Sequence, residues 1–137
     1  MAQHDLMQAK EALARSKFSD VVMYAQQSSE KIAKALLELE KHFESIHDVS
    51  DIFYVVIIKD KKYSAYENDF QIVRKYLRWL AFHWGKSRYP VLEGGVVVSP
   101  LDRYDKKFAE EALEKAKFIF QIISKVLKEK HNLFEFE

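Results

Sequence analysis

Long helix-compatible stretches with very few interruptions are the feature that most restricts the fold of this chain. Three glycines and two prolines occur among 137 residues, and all three glycines fall within residues 85–99. Elsewhere apolar residues recur at three- and four-residue spacing, which is the period of an amphipathic helix. So few helix-breaking residues predict a few long helices instead of many short strands. Because the length is that of one domain, we predict a single all-α domain over residues 1–137.

The N-terminal third predicts two helices. The first covers roughly residues 3–17, where Leu6, Ala9 and Leu13 form an apolar stripe. Ser19 is a candidate N-cap for a longer second helix that continues to about Phe43.

End signals predict two further helices in the second half of the chain. Ser64 and Glu67 have the spacing of a capping box, which predicts a helix that ends where Gly85 adopts a left-handed conformation. The glycine-containing stretch 85–99 is predicted to be a loop. Pro100 then occupies the first turn of a last helix that continues to about Lys130.

The segment at residues 52–58, with the sequence IFYVVII, fits two structures. Its β-branched and aromatic content favours a strand, whereas its setting among helices favours a helix, and we prefer the helix. Four or five helices result. The predicted fold is therefore an antiparallel up-and-down helical bundle.

Composition excludes several classes of function. Cysteine is absent, so disulfides, cysteine-based zinc sites and thiol nucleophiles are excluded. The net charge of +1 gives no overall attraction to nucleic acid, and no apolar run is long enough to span a bilayer. We expect a cytoplasmic protein without a membrane span. No cofactor or metal is expected either. Glu44 and His47 have the Glu-x-x-His spacing of a di-iron ligand pair, but a di-iron site needs a second such pair on another helix, and the sequence has none.

A basic and aromatic stretch between Asp69 and Glu93 is the main candidate for a binding site. No acidic residue occurs inside it. Arginine pairs bidentately with phosphate, and aromatic rings stack on bases. The candidate nucleotide- or RNA-binding residues are Arg74, Lys75, Arg78, Lys86, Arg88 and Tyr89.

Helical phase divides this stretch into two sides. The expected core side carries Val73, Leu77, Leu80 and Trp84. Trp79 and Phe82 project on roughly the opposite side, where large aromatic residues need a cover. They fit either a homodimer interface or a stacking platform for a nucleotide. We favour the interface, and both interpretations can hold at once.

Four segments together resemble the HEPN family, the higher eukaryotes and prokaryotes nucleotide-binding domain. They are YAQQSSEKIAKALLELEKHF at 24–43, IHDV at 46–49, SRYP at 87–90 and AEEALEKAKFIFQII at 109–123. The resemblance implies a small helical bundle that dimerises and is often encoded beside a minimal nucleotidyltransferase. Many family members act in toxin–antitoxin or defence systems. Toxin members resemble metal-independent ribonucleases with an R-x4–6-H motif, while other members lack the motif and are non-catalytic.

Arg78 and His83 satisfy R-x4-H as written. In a ribonuclease the histidine would act as general base or acid, and the arginine would stabilise the charge on phosphorus. Residues five apart on a continuous helix point about 140° apart, so a partner subunit would have to complete such a site. In addition, the place of the family's Arg-Asn and following histidine corresponds here to RYPVLEGGV at 88–96, where Arg88 and Tyr89 are present and histidine is absent.

These observations give three hypotheses. The leading one is a non-catalytic nucleotide- or RNA-binding HEPN module that acts with a minimal nucleotidyltransferase partner. The first alternative is a metal-independent ribonuclease toxin that uses Arg78 and His83 across a dimer. The second alternative is a structural homodimer whose aromatic face binds only a second copy.

Overall fold

The computed structural model describes residues 2–133, and four long helices form the body of this part of the chain. In chain order the elements are α1 (Ala2–Ala14), α2 (Phe18–Leu39), α3 (Ser50–Phe53), a π-helical turn (Tyr54–Ile58), a 3₁₀ helix (Lys61–Tyr66), α4 (Glu67–Phe82), strands β1 (Val91–Glu93) and β2 (Val96–Val98), α5 (Pro100–Arg103) and α6 (Lys106–His131). The predicted all-α helical bundle is confirmed.

The hydrophobic core lies around α2, which packs against α1, α4 and α6. Each long helix supplies one apolar stripe, as the three- and four-residue spacing predicted. The fully buried residues of the three central helices include Ala25, Ile32 and Leu36 on α2, Val73 on α4, and Ala112, Ala116, Ile119 and Ile123 on α6.

The first two helices end earlier than predicted because non-glycine residues close them. Ser16 and Lys41 adopt left-handed backbone conformations, with φ of 57° and 67°. After α1 the amide of Lys17 donates to the carbonyl of Ala12, and after α2 the amide of His42 donates to that of Leu37. Both are Schellman closures, a position where glycine is the expected residue.

The predicted caps of two helices are wrong. Helix α2 begins at Phe18 with Lys17 at the N-cap, so Ser19 lies inside the first turn. Ser64 lies within the 3₁₀ helix and does not start α4, which begins at Glu67. The side chain of Asp60 instead caps this region, because it accepts a hydrogen bond from the amide of Lys62 at 2.9 Å.

The segment at 52–58 is helical, as preferred. Its second part is a π-helical turn, in which the amide of Lys59 donates to the carbonyl of Tyr54 at 3.1 Å. The wider turn lets Phe53, Ile57 and Ile58 all enter the core.

Residues 85–99 are not only a loop. They contain an antiparallel hairpin in which Glu93 pairs with Val96. The two residues between them are Gly94 and Gly95, with φ of 55° and 81°, and a two-residue turn of this kind needs positive φ at both positions. Gly85 is not among the residues with positive φ, so its predicted left-handed conformation is wrong.

The last helix is broken near its start. Pro100 begins the short helix α5, as its position predicted, but the chain then becomes extended at Tyr104. Asp105 caps α6, since its side chain accepts a hydrogen bond from the amide of Phe108 at 2.8 Å. The break places the ring of Tyr104 in the interior, where it is 5% exposed.

Two further observations on the described residues concern membrane spans and metal ligands. Across residues 2–133, no helix has the length and apolar character needed to cross a membrane. In the same range no three histidine, aspartate or glutamate side chains lie close enough together to hold a metal ion.

Candidate functional site

Helix α4 divides the candidate residues between two sides. One side faces the start of α3, where Ser50 and Asp51 contact Arg78. The other side faces the segment after α5 and the start of α6, where Tyr104 contacts His83 and Phe108 stacks on Trp79. The sequence placed these residues in one basic stretch, and the folded chain separates them into clusters with different surroundings.

The first cluster is an exposed pair of guanidinium groups that share one carboxylate. Arg74 Nη2 lies 3.1 Å from Asp51 Oδ1, and Arg78 Nη2 contacts the same oxygen. Arg78 Nε also donates to Ser50 Oγ at 3.2 Å. The hydrogen bond from Arg74 and the charge of Arg78 lower the pKa of Asp51. We name Arg74, Arg78 and Asp51 the arginine strip, and its formal charge is positive.

Two neighbours extend the arginine strip. The guanidinium carbon of Arg74 lies 4.3 Å from the centroid of the Tyr54 ring, which is a cation–π distance. Lys75 is exposed at the next position of α4. The strip thus lies next to an aromatic ring, Tyr54, that comes from outside the basic stretch.

The third arginine of the stretch, Arg88, is held inside the fold. Its Nη1 donates to the carbonyl of Trp84 at 2.8 Å, and its Nη2 donates to Gln26 Oε1 at 3.0 Å. Its guanidinium carbon lies 4.7 Å from the Trp84 ring centroid. Burial lowers the pKa of Arg88. Because two of its N–H groups bind Trp84 and Gln26, Arg88 connects the 83–89 turn to α2.

A polar cluster that sequence reasoning missed surrounds this connection. Glu30 accepts hydrogen bonds from Gln26 Nε2 at 2.8 Å and from Lys34 Nζ at 2.7 Å. His47 Nδ1 lies 3.2 Å from the same carboxylate, and the His47 ring stacks on Trp84 with 3.9 Å between centroids. Trp84 is therefore half-buried against His47 and does not belong to the core, contrary to prediction. The four-residue spacing of Gln26, Glu30 and Lys34 places them on one face of α2, and this spacing was the sequence feature that could have predicted the cluster.

His83 lies on the other side of α4. Its Nδ1 is 3.0 Å from the Tyr104 hydroxyl, and its ring packs edge-on against Phe108. Burial, with smaller contributions from Lys86 and Arg103, lowers the pKa of His83 to about 4. Its imidazole is therefore uncharged at pH 7, and a group with so low a pKa is a weak base at that pH.

The two residues of the R-x4-H match are not brought together within one chain. Arg78 contacts Ser50 and Asp51 on the α3 side, whereas His83 contacts Tyr104 and Phe108 on the α6 side. This separation agrees with the angle expected for a five-residue step along a helix. One phosphate group cannot contact both side chains of the same subunit.

The aromatic residues expected at an interface have different surroundings. Trp79 is half-buried and stacks on Phe108 of the same chain, with 4.9 Å between ring centroids. Phe82 is 65% exposed, and Lys86 Nζ lies 4.1 Å from its ring centroid. Tyr89 is also exposed, with its ring 6.1 Å from that of Trp84. The Trp79 ring is therefore largely covered by its own chain, whereas the rings of Phe82 and Tyr89 are exposed and accessible to a partner or ligand.

Comparison with known proteins gives a family and a relative. The chain matches the family described as HEPN domain over residues 1–127. It is 34% identical over 132 residues to a protein of Methanocaldococcus jannaschii named "Putative toxin MJ1304", and the match covers 96% of this chain and 87% of that protein. No solved structure matches the chain.

Proposed function

Since this chain belongs to the HEPN domain family, we propose that it is a non-catalytic module that binds the phosphates of a nucleotide or RNA. The observation that carries the proposal is the arginine strip, where two surface guanidinium groups share a single exposed carboxylate. Of the other candidate residues, Lys75 lies beside the strip, whereas Lys86, Arg88 and Tyr89 lie beyond the end of α4 in separate surroundings.

The chemistry of the strip favours phosphate as its ligand. Each guanidinium presents planar donors that match two oxygens of a phosphate. Asp51 is 75% exposed, so replacing its contacts with those of a phosphate removes little from the fold. The ring of Tyr54 next to Arg74 offers an apolar face to a base.

The surroundings of His83 support the non-catalytic part of the proposal. Cleavage of RNA by its own 2′-hydroxyl needs a base, an acid and a cation around one phosphate. His83 is enclosed by Tyr104 and Phe108, and its pKa of about 4 makes it a weak base at pH 7. Arg78, the cation of the R-x4-H match, lies on the other side of α4. A single subunit therefore offers phosphate binding without the groups for cleavage.

The module works in a toxin–antitoxin or defence setting as a homodimer with a minimal nucleotidyltransferase partner. Membership of the HEPN family and the name of the archaeal relative support this setting. The exposed ring of Phe82 supports a dimer, because large aromatic residues are favoured where two copies meet.

Binding to a fluorescein-labelled single-stranded RNA and to ATP tests the proposal. We expect Arg74→Ala with Arg78→Ala to weaken binding by about tenfold or more, because two charge-assisted contacts are lost. We also expect the salt dependence of RNA binding to fall by about 1.4 units of slope for two phosphates. The matched control is Lys10→Ala with Arg15→Ala, which removes the same charge from exposed positions near the N-terminus. Equal affinities for the two double variants would refute the role of the strip.

A cleavage assay separates this proposal from the ribonuclease alternative. Purified protein is incubated with RNA in excess EDTA, alongside the His83→Ala variant. We expect intact RNA in both reactions. Cleavage by the natural protein that disappears in the variant would instead establish a ribonuclease completed across the dimer.

A further inference from the structure

A second cationic cluster lies beside the hairpin, on the α5 side of α4. Glu93, at the end of β1, contacts two cations there: its Oε2 lies 2.9 Å from Arg103 Nη2, and its Oε1 lies 3.6 Å from Lys86 Nζ. We name Lys86 and Arg103 the hairpin site. A carboxylate between an ammonium and a guanidinium takes the position that a phosphate group takes in many binding sites.

Arg103 has more donor capacity than Glu93 uses. Its side chain is 15% exposed. Its Nε is buried without a hydrogen bond to any group within residues 2–133, and its Nη2 has only the ion pair with Glu93. Buried donors that lack acceptors are costly, so native proteins usually supply them with a partner. A phosphate has more acceptor oxygens than a carboxylate and can meet both nitrogens of Arg103 together with Lys86.

The surroundings of the hairpin site are positive even with Glu93 in place. After burial, the largest causes of the lowered pKa of His83 are the charges of Lys86 and Arg103. The ring of Phe82, exposed beside Lys86, adds an apolar face next to these cations. This combination fits a nucleotide, whose phosphate needs cations and whose base needs an aromatic or apolar surface.

The element that carries Glu93 is held weakly. The two strands contact each other far more than they contact any helix. Leu92, Val96 and Val97 are exposed, so little apolar surface anchors the hairpin. A two-stranded hairpin is marginally stable in water on its own. The ion pairs of Glu93 are therefore a main attachment of the hairpin, and partly exposed ion pairs exchange readily.

We infer that Lys86 and Arg103 form a phosphate-binding site that Glu93 occupies in the free protein, and that the phosphate of a nucleotide binds there by displacing Glu93. The inference rests on the proposed function for the class of ligand alone. It adds a second site, separate from the arginine strip, at which the Glu93 carboxylate competes with the ligand.

Calorimetric titration with sodium pyrophosphate and with ATP tests the inference. Glu93→Gln removes the competing charge, so we expect it to tighten pyrophosphate binding by roughly fivefold. Glu11→Gln, which removes the same charge from an exposed position on α1, should leave binding unchanged. Adding Lys86→Ala to Glu93→Gln should abolish the gain. Tighter binding of ATP than of pyrophosphate would show that the base contributes.

Hydrogen exchange of the hairpin amides gives an independent readout. We expect exchange in Val96–Val98 to become faster on adding pyrophosphate to the natural protein, and to be fast without ligand in Glu93→Gln. Slower or unchanged exchange on binding would overturn the displacement of Glu93.

The proposals for the hairpin site and for the arginine strip can be refuted independently. If Glu93→Gln binds pyrophosphate no better than Glu11→Gln, the hairpin site is refuted while the arginine strip stands. If Glu93→Gln gains affinity in a background that also carries Arg74→Ala and Arg78→Ala, the hairpin site is supported whatever becomes of the strip.

Discussion

Arg88→Ala is the change that most directly tests the role we assign to the 83–89 turn. Arg88 connects this turn to α2 through its hydrogen bond to Gln26 Oε1 and packs over the ring of Trp84. Gln26 is 2% exposed, so water cannot easily replace the guanidinium. Truncating Arg88 should therefore destabilise the folded protein, in addition to any effect on ligand binding.

The magnitude follows from the contacts that are lost. Leaving a buried amide oxygen without its donor costs about 1–3 kcal/mol, and a cation–π contact contributes about 0.5–1 kcal/mol. We therefore expect a loss of about 1.5–4 kcal/mol in the free energy of unfolding. An unfolding entropy of about 2.1 cal/mol/K per residue gives ~0.29 kcal/mol/K for 137 residues, so Tm should fall by about 5–14 °C.

Calorimetry or circular dichroism of the natural protein and three variants measures this effect. Arg78→Ala is the matched control: the same residue type is exposed there, its ion pair is on the surface, and Tm should stay within about 2 °C. Gln26→Leu combined with Arg88→Met removes both partners and should recover part of the loss. A fall in Tm for Arg88→Ala no larger than that for Arg78→Ala would refute the structural role of Arg88.

Two further predictions concern pH and helix capping. The pKa of His83 is lowered from 6.5 to about 4, so the unfolded chain binds a proton that the folded chain does not. The free energy of unfolding should therefore fall by about 1–2 kcal/mol, discounted for partial exposure, as pH drops from about 6.5 towards 4. His83→Phe should flatten this range of a denaturation series, and an unchanged slope would contradict the assignment. Asp105→Ala should lower the free energy of unfolding by about 1 kcal/mol, whereas Ser64→Ala should change it by less than about 0.5 kcal/mol; equal effects in urea denaturation would favour the capping box.

The periodicity of the sequence was sufficient for the bundle itself. Apolar stripes fix which face of each helix is buried, because burial depends on the side chains of one helix at a time. Val73, Leu77 and Leu80 are buried as the phase of α4 predicted. The separation of Arg78 from His83 also followed from helix geometry alone. HEPN membership, indicated by four sequence segments, is confirmed by the family match.

Local signals failed where tertiary contacts or unusual backbone conformations decided the outcome. Ser16 and Lys41 close helices in left-handed conformations that favour glycine. Because neither residue is glycine, the sequence did not indicate where these helices end. The capping box at Ser64 was a local preference that the 3₁₀ helix overrode, and the extended backbone at Tyr104, whose ring is buried, separates α5 from α6.

The sequence by itself determined that this chain is a bundle of long helices with cations and aromatic residues concentrated near the end of one of them. Only the tertiary structure decided which groups pair with the cations of the chain. Arg88 is bound to Gln26, 62 positions away, and Arg103 meets Glu93 because the hairpin folds back towards α5. Such pairs depend on distances between elements, which no single helix or strand encodes.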